Sequence, residues 1–293
     1  MKSLKSVKWY DNEALLEEST IPPIPSRRVL VKVLSALIYS PYKNKNVLKN
    51  VKSGKTLGSF GLVRVIEPGV ETEVMPGEVY GVMPYTKYGV LGLDIDGLAS
   101  EYAVVPEEAL VSLKGIELKK ISPLHVEFGY IHELTKLVES SEKGLIIGCG
   151  FTAYVLGLAF KNYRNSEILC LNAEHLKSLR DLGLPLKRSL EDLKDDADLL
   201  VITEDTEIDL RNLLRDGAWV YITPGTFTLS LHYHGIPSKV RLARPKTFKP
   251  KYSARYLNGI SPHIIESQVK TVNELSQAVE ALSLFERVLV NFR

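Results

Sequence analysis

The chain holds 293 residues, which at ~150 residues per domain predicts two domains, each able to bury a core of its own. Hydrophobic residues at 45%, charged residues at 25% and a mean hydropathy of -0.01 are those of an ordinary globular chain and exclude wholesale disorder, collagen and coiled coil. The 37 basic and 35 acidic residues leave a formal net charge of +2, no global reason to invoke nucleic acid.

Two cysteines, Cys149 and Cys170, lie in apolar runs without a C-x-x-C partner, so neither a disulfide framework nor a cysteine zinc site is expected. No run reaches the ~18 uninterrupted apolar residues of a membrane span, and the start MKSLKSVKWYDNE lacks the apolar core of a signal peptide. The expectation is a soluble cytoplasmic protein with no membrane partner.

The first 113 residues read as β-rich. RVLVKVLS (28–35), GLVRVI (61–66) and ASEYAVV (99–105) are short and β-branched, and Pro68-Gly69 and Pro76-Gly77 punctuate them, which predicts antiparallel strands. From Ser122 the pattern changes. Val126, Tyr130, Leu134 and Leu137 recur at three and four, which predicts one long helix opened by Pro123 and running to Val138. LIIG, AYVLGLAFKNY, EILCL, HLKSLRDLG, ADLLVIT and AWVYIT then alternate strand with helix, the pattern of a parallel α/β sheet. Beyond Ala254 come a strand-like HIIES, a helix over 272–284 with Thr271 and Glu274 as a capping box, and a terminal strand RVLVNF.

The sharpest local signal is GLIIGCGFTAYVLG (144–157), where an apolar strand runs into Gly148-x-Gly150-x-x-Ala153 and then a helix. Gly148 would permit the tight turn, Gly150 the approach of a pyrophosphate, and Ala153 close packing of helix on strand, with Phe151 and Thr152 opening the helix. The diphosphate would rest on the N–H groups of that helix start. Asn172, at the tip of EILCL, is where a carboxylate would mark NAD. Its neutral amide, with Lys177 and Arg180 in the next helix, favours NADP over NAD while leaving both open. A second reading keeps the turn for folding only.

VLVKVLSALIYS, LGSFGLVRVIEPGVE, PGEVYGVMP, DGLASEYAVVPEEAL, LIIGCGFTAYVLG, DGAWVYITPG and NELSQAVEALSLFERVLV cover nearly the whole chain. In that order they resemble the medium-chain dehydrogenase/reductase superfamily, the relatives of zinc alcohol dehydrogenase. The resemblance implies an α/β protein with two domains: a GroES-like, β-rich catalytic domain (1–121 and 254–293) and a Rossmann domain with a doubly wound parallel sheet (122–253). It also implies a nicotinamide cofactor, a small-molecule substrate bound between the domains, Arg287 near the pyrophosphate, and assembly as a homodimer or homotetramer.

The departures bear on chemistry. Where zinc members carry a Cys this chain has Tyr39, and where they carry Gly-His-Glu it has Gly58-Ser59-Phe60; the four-cysteine structural lobe is missing too. Neither zinc site is expected, and with no Lewis acid the usual alcohol oxidation is not either. Zinc-free branches resembling quinone and enoyl reductases pass a hydride to an activated double bond. Tyr39, Ser40 and Tyr42 crowd the catalytic position and could supply the proton, or the tyrosines could simply fill the space left by the metal. A catalytically inactive, dehydrogenase-like binding protein, with its nucleotide site retained or lost, is the alternative.

Other candidates are weaker. His232 and His234 are at most half a metal site, and His125, Glu127, His132 and Glu133 make no H-E-x-x-H pattern and read as solvated helix residues. Two stretches, 43–55 and 239–256, are basic without any acid, and the second is interleaved with Phe248, Tyr252 and Tyr256. They read as borders of a cleft for an anionic substrate, as a nucleic-acid surface, or as solvated lysines.

Overall fold

A computed structural model describes residues 4–163, 166–171, 179–180, 182–189, 191, 193, 197–204, 213–224, 226 and 240–292. The chain divides into two compact units, Met1–Gly129 with Phe248–Arg293, and Tyr130–Thr247. The segments 122–129 and 248–253, which the sequence reading placed in the second domain, thus belong to the first unit.

In the first unit β1 (Leu4–Tyr10) and β2 (Glu13–Ser19) form a hairpin. Asp11 and Asn12 turn it at positive φ, the backbone a two-residue hairpin loop requires. There follow β3 (Arg28–Tyr39), α1 (Lys45–Asn50), β4 (Lys55–Thr56), β5 (Phe60–Pro68), β6 (Val79–Val82), β7 (Tyr85–Thr86), β8 (Gly89–Val90), β9 (Tyr102–Pro106), β10 (Leu110–Ser112) and α2 (Ser122–Glu127). The long β3 is the hub. It pairs antiparallel with β5 and with β9, because its alternate valines, Val29, Val31 and Val33, are buried with Val63, Val65 and Val105.

The predicted helix over 122–138 is broken. After α2 a single 3-10 turn, Phe128–Tyr130, precedes α3 (Ile131–Glu139). Gly129 sits in that turn because the backbone N–H of Lys249 approaches it to donate to its carbonyl at 2.9 Å, leaving no room for a Cβ.

The second unit carries β11 (Gly144–Ile147), α4 (Phe151–Phe160), β12 (Ser166–Leu169), β13 (Leu186–Lys187), β14 (Ala197–Ile202), β15 (Leu214–Ile222) and β16 (Arg241–Ala243). Among the described residues these strands form one parallel sheet in the order β13-β12-β11-β14-β15-β16. That is the doubly wound order, which reverses between β11 and β14. Leu145, Ile147, Leu169, Leu200, Ile202 and Val220 fill one of its cores.

The chain then returns to the first unit as α5 (Pro250–Leu257), α6 (Pro262–Gln268), β17 (Val269–Val272), α7 (Leu275–Leu282) and β18 (Arg287–Asn291). HIIES, expected as a strand, is the body of α6, which Pro262 starts from its first turn. The capping box also fails. Thr271 is inside β17, opposite Leu289 of β18, so its backbone is extended and Glu274 stands at the N-cap of a shorter helix. β18 closes the sheet against β3, which brings Arg287 opposite Tyr39.

Candidate functional site

In the second unit the glycine turn leaves β11 where the order of the sheet reverses. Gly148 has φ of +136°, donates its N–H to Leu169 O at 3.0 Å at the end of β12, and lies so close to Thr203 Oγ1 that a Cβ would overlap it. Thr203 is fixed in turn, since its N–H and its hydroxyl both donate to Ile147 O, at 3.0 and 2.9 Å. Gly148 is therefore required by the backbone itself.

Gly150 is different. It is the N-cap of α4 with φ of -81°, and among the described residues a Cβ there would meet nothing nearer than Glu204 Oε2 at 3.8 Å. The packing of the described residues does not demand glycine at 150, whereas a ligand lying on the helix start would. Phe151, Thr152 and Ala153 are buried behind the turn. The close approach expected at Ala153 continues one turn on at Gly157, whose Cβ would come within 3.1 Å of Ile168 Cδ1.

Two features of the turn went unread in the sequence. Cys149 and Cys170 form a disulfide, which corrects the expectation of none. Spacing along the chain misled: the two lie 21 residues apart but end adjacent parallel strands, with Cα atoms 4.8 Å apart. A loop of that length gives roughly 3 kcal/mol of unfolded-state restriction in the chain-entropy model. Reduction by dithiothreitol should accordingly lower the urea midpoint of the protein, and an unchanged midpoint would show that the bond adds nothing. Such bonds persist in oxidising compartments and in intracellular proteins of hyperthermophiles.

The second is Glu204. It follows β14, and its Oε2 accepts the Cys149 N–H at 3.1 Å. Asking which side chain ends the strand flanking the turn would have found it in ADLLVITE.

Asn172, Lys177, His232 and His234 lie outside the described residues. Arg180 is exposed.

In the first unit the structure gathers Tyr39, Glu127 and Arg287, three residues that are at most 2% exposed. Tyr39 ends β3, Glu127 ends α2, and Arg287 begins β18. The Tyr39 hydroxyl donates to Glu127 Oε1, the Arg287 Nε donates to the same oxygen at 3.3 Å, and the guanidinium lies 5.1 Å from the centre of the Tyr39 ring. Arg287 also meets Glu286 Oε1 at 3.3 Å. Glu127 Oε2 is buried without a hydrogen-bond partner. Burial pushes the Glu127 carboxyl up, against the pull of Arg287 and Tyr39.

The reading of 125–133 as solvated is corrected. Besides Glu127, His125 is 1% and His132 7% exposed. Burial, helped by Lys119, lowers the His125 pKa to about 4, so the imidazole is neutral at physiological pH. Glu133 accepts the N–H groups of Lys246 and Thr247 at 3.1 and 2.8 Å. The helix period was legible; which of its faces is covered was not.

Of the three candidate catalytic hydroxyls, only Tyr39 joins ionisable groups. Ser40 is fully buried, donates to Leu282 O at 2.5 Å and accepts the Tyr42 N–H at 3.1 Å, the role of a turn residue. Tyr42 accepts the Ala14 N–H at 2.8 Å and meets Trp9 edge-on. Arg287, which the resemblance directs toward a pyrophosphate, has carboxylates as its observed partners.

At the zinc positions, Phe60 offers no donor atom and packs 6.3 Å from Tyr39, while the Tyr39 hydroxyl is engaged by Glu127. This donor set does not fit zinc. In the basic stretches Lys52 pairs with Asp94 at 3.0 Å, Arg255 lies over Tyr252, and Phe248 is buried beside Phe60 and Tyr85, so Phe248 cannot stack on a base.

No family model matches the sequence, and no curated protein does. Solved structures do. Glucose dehydrogenase of Haloferax mediterranei, in complex with NADP, zinc and gluconolactone, is 13% identical with a TM-score of 0.70, over 100% of this chain and 99% of that one. Acetophenone reductase of Geotrichum candidum, in complex with NAD, is 15% identical with a TM-score of 0.64, over 99% and 97%. The 2R,3R-butanediol dehydrogenase of Bacillus subtilis is 19% identical with a TM-score of 0.62, over 99% of each chain. Among the described residues no helix is long and apolar enough to cross a membrane. The chain shares the fold of these dehydrogenases and reductases along its length.

Proposed function

We propose that the protein is a zinc-independent, nicotinamide-dependent reductase acting on a small activated alkene or quinone. The observation that carries this reading is the open Gly150 at the helix start of a doubly wound sheet. Among the described residues a side chain there would meet only Glu204 Oε2, and a dinucleotide backbone would account for the glycine. Gly148, Gly150, Phe151, Thr152 and Ala153 would hold the diphosphate, and Asn172 and Lys177 would face the adenosine ribose with a preference for NADP over NAD. The bound cofactor would supply hydride.

Tyr39 is the proton source in this reading, and Glu127 and Arg287 position its hydroxyl and ring. Ser40 and Tyr42 then serve the turn after β3 rather than the chemistry. The basic stretches offer an anionic substrate its attraction, with no role for nucleic acid or membrane. Assembly as a homodimer or homotetramer is supported by β16, the edge of the sheet among the described residues, where Leu242 is 50% exposed.

The decisive experiment is titration of the purified protein with NAD, NADH, NADP and NADPH, followed by NADPH consumption with 1,4-benzoquinone or methyl vinyl ketone. Binding of NADPH, turnover of either acceptor and its loss in Tyr39→Phe are expected. Turnover unchanged in that variant would remove Tyr39 from the chemistry. Zinc near one per chain after dialysis would overturn the zinc-free assignment.

A second reading, a binding protein without turnover, is favoured by one observation: a carboxylate of the chain itself stands at the glycine turn. Failure of the folded protein to bind any of the four dinucleotides, with no turnover of either acceptor, would select it.

A further inference from the structure

The Glu204 carboxylate lies over the glycine turn. Its Oε2 takes the Cys149 N–H at 3.1 Å, its Cγ and Cδ would each be 3.2 Å from a Cβ on Gly148, and the same Oε2 is, among the described residues, the one atom near a Cβ on Gly150, at 3.8 Å. The space that the two glycines keep free of side chains therefore holds an anion of the protein's own. The placement is favourable, since backbone N–H groups and the start of α4 attract negative charge. A diphosphate on the start of α4 would lie beside this carboxylate, and two anions so close repel each other.

We propose that Glu204 is a gate on this turn: it stands in for the diphosphate, and an anionic ligand binds only by displacing it. The gate rests on the nucleotide reading for its ligand but not for its geometry. It makes the site selective. A lone inorganic anion gains little beyond what Glu204 already provides, whereas a dinucleotide adds contacts along its length that make displacement favourable. The side chain is partly exposed and follows the end of β14, and the neighbouring Thr203 is anchored to Ile147 independently of it.

The test is calorimetric titration with inorganic pyrophosphate and, separately, NADPH. It compares wild type, Glu204→Gln, Glu204→Ala, and Glu204→Ala combined with Gly150→Val. Glu204→Gln keeps the shape and removes the charge, which guards against a variant that folds badly. Pyrophosphate is expected to bind both single variants at least tenfold more tightly than wild type, NADPH to gain by a similar factor, and Gly150→Val to abolish both gains. Equal pyrophosphate affinity in wild type and the single variants overturns the gate, as does a gain that survives Gly150→Val.

The two ideas fail separately. Pyrophosphate gained without any NADPH binding upholds the gate and sinks the nucleotide reading. NADPH bound equally by wild type and Glu204→Ala, with no pyrophosphate gain, does the reverse.

Discussion

Replacement of Arg287 by methionine should destabilise the protein by about 3–5 kcal/mol at neutral pH, the cost of breaking a buried ion pair from one side. The guanidinium is 2% exposed and holds Glu127 Oε1 at 3.3 Å. Without it a buried carboxylate keeps Tyr39 as a donor on one oxygen and no partner on the other. Methionine matches much of the arginine stem in volume, so the loss reports charge more than packing.

The pH dependence separates these two causes. Burial already holds the folded-state pKa of Glu127 above the ordinary 4.5, and removal of the neighbouring cation raises it further. Between the ordinary value and the raised one the folded protein binds more protons than the unfolded, so stability falls as pH rises through that window. Below 4.5 both states are protonated and the penalty is gone. Urea unfolding should therefore show a large deficit for Arg287→Met at pH 7 that shrinks toward pH 4.5, and Glu127→Gln in the same chain should restore much of it. A deficit equal at both pH values, or a double variant no more stable than the single one, would mean that Arg287 acts through packing alone.

This cluster also marks where sequence reading stops. Tyr39 and Glu127 are 88 residues apart, and Glu127 and Arg287 are 160 apart. No local pattern joins them; they meet because β18 pairs with β3 and α2 packs on the same sheet. What was legible is what the backbone decides locally. Alternating valines gave β3 and β5, and alternation of strand with helix gave the parallel sheet. Gly148 announced a positive φ that no other residue adopts easily. Segments whose state is decided by neighbours were misread. HIIES is apolar enough for a strand, but Ser261-Pro262 starts a helix there, and Thr271 has the chemistry of a cap but the pairing of a strand. The cysteine pair was missed for a related reason, since parallel strands bring together residues that a spacing rule keeps apart.

Gly148 and Gly150 look alike in the sequence and should behave in opposite ways. Gly148→Ala forces a side chain into φ of +136° and onto Thr203 Oγ1, whose two bonds to Ile147 tie β14 to β11. Strain of ~1–3 kcal/mol from the backbone adds to the steric overlap, so this variant should lose stability sharply whether or not a ligand is present. Gly150→Val meets no such obstacle. Its φ of -81° is open to any residue, and the nearest atom among the described residues is a side-chain oxygen at 3.8 Å. The fold should survive with little change in its urea midpoint. Two methyl groups would instead project into the space above the start of α4, where a diphosphate would lie, and dinucleotide affinity should fall by on the order of a hundredfold or more, about 3 kcal/mol. Unfolding and titration of the two variants side by side make the comparison. Wild-type affinity for NADPH in a folded Gly150→Val would place the ligand elsewhere, and a stable Gly148→Ala would mean that the turn relaxes around a side chain that the observed geometry forbids.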